Sequence, residues 1–511
     1  MPKLFLLQVL FLVSGILHAQ TITTFREPFY VDPERDAKVK RLAPMLEQWY
    51  RDHARLHHFP GYAFGVVLDG RLILSGSGGY SNLAEKTAAT PATLFRIASM
   101  SKSFTTCAIL QLRDQGRLTL DDPLTMYIPA MKGMKLTEDG PDLTLRHCMN
   151  HLAGFPEDNP WGDRQLADTE EELLEMVRQG ISFSNTPGIH YEYSNLGFAL
   201  LGFVIRKVTG LSYDAYIRKE ILLPLGMAET VYEYRQVPPE KLARGYRYRE
   251  GKWEVEPLLA DGIYGAMGGM ISSVEQFSRY LAFHAQAWPE RNGPDEQPLR
   301  RSTLREMHTP QAFIGLNTAF ALPTGKRLTV STAYAYGLNW MRDQEGRTSV
   351  GHSGGLPGFG SNWRFLPEYG LGVIFLANAT YAPTSSLNVA VLDTLVKLAG
   401  LAPRAVPVSP VLAQRQAQLL ACLPSWENLE VDVFAENFFP DYPLSDLKRE
   451  SSTLFAKVGK ILHVSPMQPE NQLRGHCLLT GERGILKLRF TLSPEIPARI
   501  QEYHLTEVPT R

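Results

Sequence analysis

Apolar positions along this chain repeat at two spacings, and the alternation between them outlines its elements. Between Asp36 and His57 they fall at Val39, Leu42, Met45, Leu46, Trp49 and Tyr50, which predicts an amphipathic helix. Tyr62 to Leu68 and Leu72 to Leu74 are apolar runs on either side of Asp69-Gly70, the signature of a hairpin. Helical spacing returns at Phe104, Cys107, Ala108, Ile109, Leu110 and Leu112, and Gly116 stands where a helix would stop. A short helix is expected over 143–149, closing in a turn at Gly154-Phe155-Pro156. Pro187-Gly188 turns the chain again, and Ser194 or Asn195 caps an apolar helix from Phe198 to Ile205. Residues 336–340, 362–367 and 372–378 read as strands, the last two paired across Glu368-Tyr369-Gly370, and 387–398 as a closing helix.

The ends carry other patterns. Lys3 precedes an apolar run from Leu4 to Val13 that continues to Leu17, and Ala19 follows as a small residue. A run too short to span a bilayer comfortably, with these flanks, reads as a secretory signal peptide over residues 1–19. No later apolar run is long enough to cross a membrane. The expectation is an exported protein, periplasmic or secreted, with no membrane span once the leader is removed. Residues 401–413 hold three prolines and read as a linker. The main domain is then 20–400, and 414–511 forms a small β-rich domain with strand-like pieces at 454–458 and 485–490.

Composition narrows this picture in a few places. A chain of 511 residues exceeds one typical domain. Its 52 basic and 53 acidic residues leave a net charge of -1, so no nucleic-acid partner is expected. Four cysteines are too few for a disulfide scaffold. Cys107 reads as a buried thiol, while Cys422 and Cys477 share one region and can pair in an exported protein. His53 and His57 are four apart, but no motif supplies a third metal ligand, so they read as a solvated helix face. No metal and no cofactor are expected.

Candidate chemistry centres on Ser99. Lys102 follows it by three residues, one turn on along a helix, so the two side chains share a face near a helix N-terminus. A hydroxyl beside an amine at such a place is a plausible nucleophile. The spacing alone decides little, because Ser445 and Lys448 repeat it. Tyr193-x-Asn195 lies at a loop-to-helix junction, and Tyr80-Ser81-Asn82 is its decoy. His352-Ser353-Gly354-Gly355 ends a strand whose glycines let backbone N–H groups approach a ligand. His151 reads as a residue shaping a turn. The glycine-dense stretch 262–273 lacks phosphate-loop and dinucleotide spacings and reads as close backbone approach beside a pocket.

Taken in order, Ser99-x-x-Lys102, Tyr193-x-Asn195 and His352-Ser353-Gly354 resemble the serine β-lactamase and penicillin-binding-protein superfamily, most closely its class C-like branch. Flanking phrases extend the resemblance over roughly residues 35 to 400: Phe95-Arg96-Ile97-Ala98, Leu120-Asp121-Asp122-Pro123, His151-Leu152-Ala153-Gly154 and Gly351-His352. The resemblance implies an α+β fold, an α/β sandwich in which helices flank an antiparallel sheet and an all-helical subdomain is inserted. It implies Ser99 as the acyl-accepting nucleophile, Lys102 and Tyr193 as the groups that handle its proton, and Asn195, His352, Ser353, Gly354 and Gly355 as substrate-binding residues. By the same analogy the backbone N–H groups of Ser99 and Gly355 form the oxyanion hole.

One position departs from the pattern. β-Lactamases and carboxypeptidases usually carry lysine where this chain has His352, and histidine is uncharged for part of the time near neutrality. The expectation is a serine hydrolase acting on an ester or amide of a small molecule or peptide, including D-amino-acid peptides, with weak or absent β-lactam turnover. The alternatives are a non-catalytic penicillin-binding-like sensor and a class C-like β-lactamase or DD-carboxypeptidase.

Overall fold

A computed structural model of the protein describes residues 25–295, 298–427 and 429–509. The leader read at 1–19 lies outside them. The described chain divides into two compact units. One is Asp32–Pro403; the other joins residues 25–31 to 404–509.

The large unit is built on a nine-stranded sheet. Its strands are β1 (Gly61–Leu68), β2 (Arg71–Asn82), β3 (Thr87–Ala88), β4 (Ala312–Ala321), β5 (Arg327–Tyr334), β6 (Asn339–Asp343), β7 (Thr348–Leu356), β8 (Phe359–Leu366) and β9 (Leu371–Ala377). They run in the order β3-β2-β1-β9-β8-β7-β6-β5-β4, antiparallel at every pairing. First and last segments therefore meet at the centre, where β1 pairs β9 from Tyr62↔Ala377 to Leu68↔Leu371. The β1–β2 turn has Asp69 at φ 51° and Gly70 at φ 76°, the left-handed pair that a two-residue hairpin needs. Residues 336–338 are a turn, and the strand predicted there starts only at Asn339.

Both faces of the central strands are covered, and side chains alternate between two cores. Phe64, Val66, Val373 and Phe375 pack with Leu46, Tyr50, Val391 and Leu395, which come from helices α1 (Ala43–Leu56) and α5 (Ser385–Leu398). Ala63, Val67, Ile374 and Leu376 face the other core. That core holds α2 (Lys102–Asp114), α3 (Asn195–Thr209) and α4 (Val274–Ala285). The regular structure of the long insertion between β3 and β4 is mainly helical, but it is not the all-helical subdomain that the resemblance implied: Phe95–Arg96 pairs with Ile271–Ser272, and Tyr246–Arg249 forms a small hairpin with Lys252–Val255. His53 is not the solvated residue expected: it is buried, and its Nε2 donates to the Pro383 carbonyl at 2.7 Å.

The second unit carries five strands and two substantial helices. Strands β10 (Ile461–Val464), β12 (Arg474–Gly481), β13 (Ile485–Leu492) and β14 (Ile500–Glu507) run in that order, and β11 (Gln468–Asn471) pairs β12. Helices α6 (Pro410–Cys422) and α7 (Leu444–Val458) pack on this sheet through Leu412, Leu419, Leu447 and Val458. Two expectations are corrected here. Residues 410–413, read as linker, open a helix, because Ser409 Oγ accepts from Leu412 N at 3.2 Å and Pro410 suits a first helical position. Residues 454–458, read as a strand, are the last turn of α7; five residues are too few to separate the two periods. Cys422 and Cys477, like Cys107 and Cys148, are buried free thiols. Among the described residues no single helix is long and apolar enough to cross a membrane.

Candidate active site

Ser99 is not in the first turn of a regular α-helix but in a 3₁₀ turn, Ala98–Ser101, that leads into α2. Ala98 takes φ 50°, a left-handed conformation that alanine adopts only under constraint. The constraint comes from hydrogen bonds on either side. Ile97 N donates to Met270 O at 2.9 Å, and Ser101 Oγ donates to Ala98 O at 2.7 Å. The sharp turn presents Ser99 to a cavity of about 490 Å³, lined also by Tyr193, His352, Ser353, Gly354 and Gly355.

Lys102 is fully buried, and in its ammonium form all of its donor capacity is assigned. Nζ donates to Ser99 Oγ at 3.0 Å, Asn195 Oδ1 at 2.7 Å and the Met267 carbonyl at 2.9 Å. Burial drives its pKa down to about 7, against the opposing pull of Asp163 and Asp158. Asn195 opens α3, where Asp158 accepts from the N–H groups of Asn195 at 2.7 Å and Leu196 at 2.8 Å. Its amide Nδ2 donates to Asn159 Oδ1 at 2.7 Å, which leaves Oδ1 turned to the lysine.

Tyr193 lies with its ring centroid 4.8 Å from Lys102 Nζ. A neighbouring ammonium would favour a tyrosinate, but the enclosure of this ring works against it. Burial pushes the phenol well above 10, and hydrogen bonding with Ser99 offsets only part of that. His151 holds this ring: their centroids are 4.2 Å apart, His151 Nδ1 accepts from Ser194 N at 3.0 Å, and the backbone sits at φ 59°. His151 is thus a positioning residue, buried and held neutral well below its usual pKa.

The opposite wall is β7. Strand β6 starts at Asn339, opposite Gly351, so from His352 to Leu356 one edge of β7 has no strand partner among the described residues. Gly354 lets this edge close on the Ser99 turn, since a Cβ there would lie 2.3 Å from the Ile97 carbonyl and 2.9 Å from Ala98 Cβ. Ser353 Oγ accepts from Asn362 Nδ2 at 3.1 Å. His352 is buried and uncharged, its pKa driven to about 3 by burial with Lys102 adding to the effect. Its Nδ1 donates to the Ser353 carbonyl, so Nε2 accepts from Tyr334 Oη at 2.9 Å. The ring has no free donor for a substrate carboxylate.

The structure thus brings Ser99, Lys102, Tyr193, Asn195 and the 352–355 strand edge together; Ser445 and Lys448 lie on α7 of the other unit. It also adds residues that carry no motif. The Met267 carbonyl comes from the glycine-dense stretch, whose composition was its only signal. Asp163 and Tyr381 also line the cavity, and nothing in their local sequence marks either. Among the described residues no group of three or more metal-ligating side chains comes together.

Comparison with known proteins agrees with this geometry. Protein flp of Staphylococcus aureus (strain COL) is 28% identical over 331 residues, 64% of this chain and 61% of its own length. The chain therefore spans about three fifths of that relative. Penicillin-binding protein 4* of Bacillus subtilis (strain 168) is 27% identical over 354 residues, 65% of this chain and 71% of its own. Two solved structures share the fold. The octameric penicillin-binding protein homologue from Pyrococcus abyssi has a TM-score of 0.58 and 24% identity, covering 90% of this chain and 99% of its own. A penicillin binding protein from Bacillus halodurans has a TM-score of 0.53 and 22% identity, covering 68% and 98%. The Beta-lactamase family model matches residues 46–396, and on that match the chain belongs to the beta-lactamase family, within the serine β-lactamase and penicillin-binding-protein superfamily.

Proposed function

We propose that this protein hydrolyses an ester or amide through an acyl-enzyme on Ser99, with neutral Lys102 as the first base. The observation that carries this reading is the set of acceptors around Nζ. Asn195 Oδ1 and the Met267 carbonyl can only accept, so in the neutral amine they take both N–H groups. The lone pair then faces Ser99 Oγ at 3.0 Å. As Oγ bonds to the substrate carbonyl carbon, its proton passes to Nζ. The oxyanion is received by the N–H groups of Ser99 and Gly355. Tyr193, protonated across the working range, gives a proton to the departing oxygen or nitrogen and is refilled from Lys102. Water then cleaves the acyl-enzyme, and the proton path runs in reverse.

The charge of the cavity supports neutral or cationic substrates over those with a carboxylate beside the scissile bond. No lysine or arginine is among the residues lining it, and His352 is uncharged with both ring nitrogens engaged. We therefore expect weak or absent β-lactam turnover. An uncharged alkyl fluorophosphonate should add one adduct, on Ser99, that is lost in Ser99→Ala, and 4-nitrophenyl acetate should be hydrolysed. Absence of both would sink the enzyme reading in favour of a non-catalytic binding protein, and fast nitrocefin hydrolysis would sink the substrate preference.

A further inference from the structure

The cavity holds a carboxylate that the proposed chemistry leaves unused. Asp163 lies on the one-turn helix Trp161–Arg164, is 2% exposed and lines the same cavity as Ser99. Its Oδ2 accepts from Tyr381 Oη at 2.9 Å, while Oδ1 is buried with no hydrogen-bond partner among the described residues. A buried carboxylate oxygen without a donor is costly, and such a group calls for an explanation.

The carboxylate is held from both sides of the cleft. Behind it, Gly162 packs directly on Asn195, where a Cβ would come within 2.8 Å of the Asn195 Cβ. In front, Tyr381 adopts φ 50° and its N–H donates to the Phe359 carbonyl at 3.1 Å, so the phenol that engages Asp163 is itself anchored. Among the described residues no cation is paired with Oδ1. Arg164 turns toward Glu256 at 3.8 Å, and Nζ of Lys102 is engaged by Ser99, Asn195 and Met267. Burial lifts Asp163 to about 6, opposed by Tyr381, Lys102 and Arg164 and reinforced by Asp158, so the group is mostly ionised at neutral pH. The result is a rigid, single-sign acceptor in a cavity lined by no arginine or lysine.

We infer that Asp163, with Tyr381, forms a subsite for a primary ammonium group on the substrate. This rests on the reading of the Ser99 cavity as the substrate site and names the substrate class: esters or amides bearing a protonated amine near the scissile carbonyl. The amine can belong to the acyl part, as in an aminoacyl amide, or to the leaving group.

Binding separates this inference from the enzyme reading, because it needs no turnover. Titration calorimetry on Ser99→Ala at pH 7.5 would compare D- and L-alaninamide with their N-acetyl forms, and 4-(aminomethyl)phenyl acetate with 4-methylphenyl acetate. A charge-assisted hydrogen bond predicts that at least one amine binds about tenfold or more tighter than its neutral counterpart. The pair that shows the preference identifies which side of the scissile bond carries the amine. In Ser99→Ala/Asp163→Asn the preference should fall below about twofold. Should that variant not fold, the same titration of Ser99→Ala at pH 5 should show the preference shrinking as Asp163 takes up a proton. Equal affinity within every pair overturns the subsite, as does a preference that survives Asp163→Asn or is unchanged at pH 5. Failure of the enzyme reading shows separately, as absence of both a fluorophosphonate adduct and 4-nitrophenyl acetate hydrolysis in the unmutated protein.

Discussion

The state of Lys102 makes the sharpest prediction. The perturbation is pH, and the response is the rate at which an uncharged fluorophosphonate inactivates the enzyme, a step that reports nucleophile activation without deacylation. An unperturbed lysine at 10.5 would be neutral in about one molecule in a thousand at pH 7.5. With a pKa of about 7, roughly three quarters of the molecules have the free amine. The difference corresponds to about 5 kcal/mol of bias toward the neutral form, supplied by complete burial. The second-order inactivation constant should therefore rise between pH 5.5 and 8 and then level, with a single inflection near 7. Two neighbouring groups need separating from the lysine. His352 is driven to about 3, outside the window, and Asp163 at about 6 lies near its edge. Asp163→Asn distinguishes them. Removing an anion that favours the ammonium should move the inflection to lower pH, whereas an inflection belonging to Asp163 would vanish. Stopped-flow or competitive gel-based inactivation at half-unit pH steps is sufficient. A profile that keeps rising past pH 9 would refute the reasoning, because it would mean that Lys102 is charged at neutrality and that another group takes the Ser99 proton.

Two further outcomes follow from the packing. Gly354→Ala puts a Cβ 2.3 Å from Ile97 O and 2.4 Å from Ser361 Oγ, so β7 must back away from the Ser99 turn. A displacement of about 1 Å at a reacting centre should lower kcat/KM for a p-nitrophenyl ester by about a hundredfold, and a loss under threefold would count against close approach as the role of this glycine. His308 Nδ1 accepts from Trp288 Nε1 at 2.9 Å, and its Nε2 donates to His284 Nδ1 at 2.8 Å, so protonating it places an N–H against an N–H; burial and Arg305 hold it near 3. Its folded pKa is below the unfolded value of about 6.5, so its contribution is complete above that pH and is lost below it, at about 1.4 kcal/mol per pH unit. The destabilisation caused by His308→Gln, measured by urea unfolding, should therefore be smaller at pH 5.5 than at pH 7.5 by about that amount, and an equal penalty at both would contradict the neutral pair.

Much of the architecture was legible in local pattern, because the central elements bury one face at a fixed period. The hairpin at Asp69-Gly70, the α3 start at Ser194-Asn195 and the β8–β9 pair were readable from side chains a few residues apart. Where the window was short, pattern failed. Residues 454–458 satisfied a strand over five positions, and only the seating of Leu447 and Val458 against the second sheet shows them to be helical. The same limit applied to the Ser99 turn, whose 3₁₀ geometry depends on Met270, a residue distant in sequence.

For the site, the chain alone determined the residue types of the reacting groups and their order, since Ser99-x-x-Lys102, Tyr193-x-Asn195 and His352-Ser353-Gly354 each occupy a few consecutive positions. Their electrostatic state was decided by tertiary structure. Lys102 is drawn down to about 7, Tyr193 is pushed well above 10 and His352 is drawn down to about 3 because surrounding elements remove water from all three, and desolvation is a property of enclosure, not of neighbours in sequence. Asp163, Tyr381 and the Met267 carbonyl became visible only on folding: the first two reach the cavity and the third reaches Lys102 Nζ, from three segments between positions 161 and 381, and none lies beside a motif in the chain.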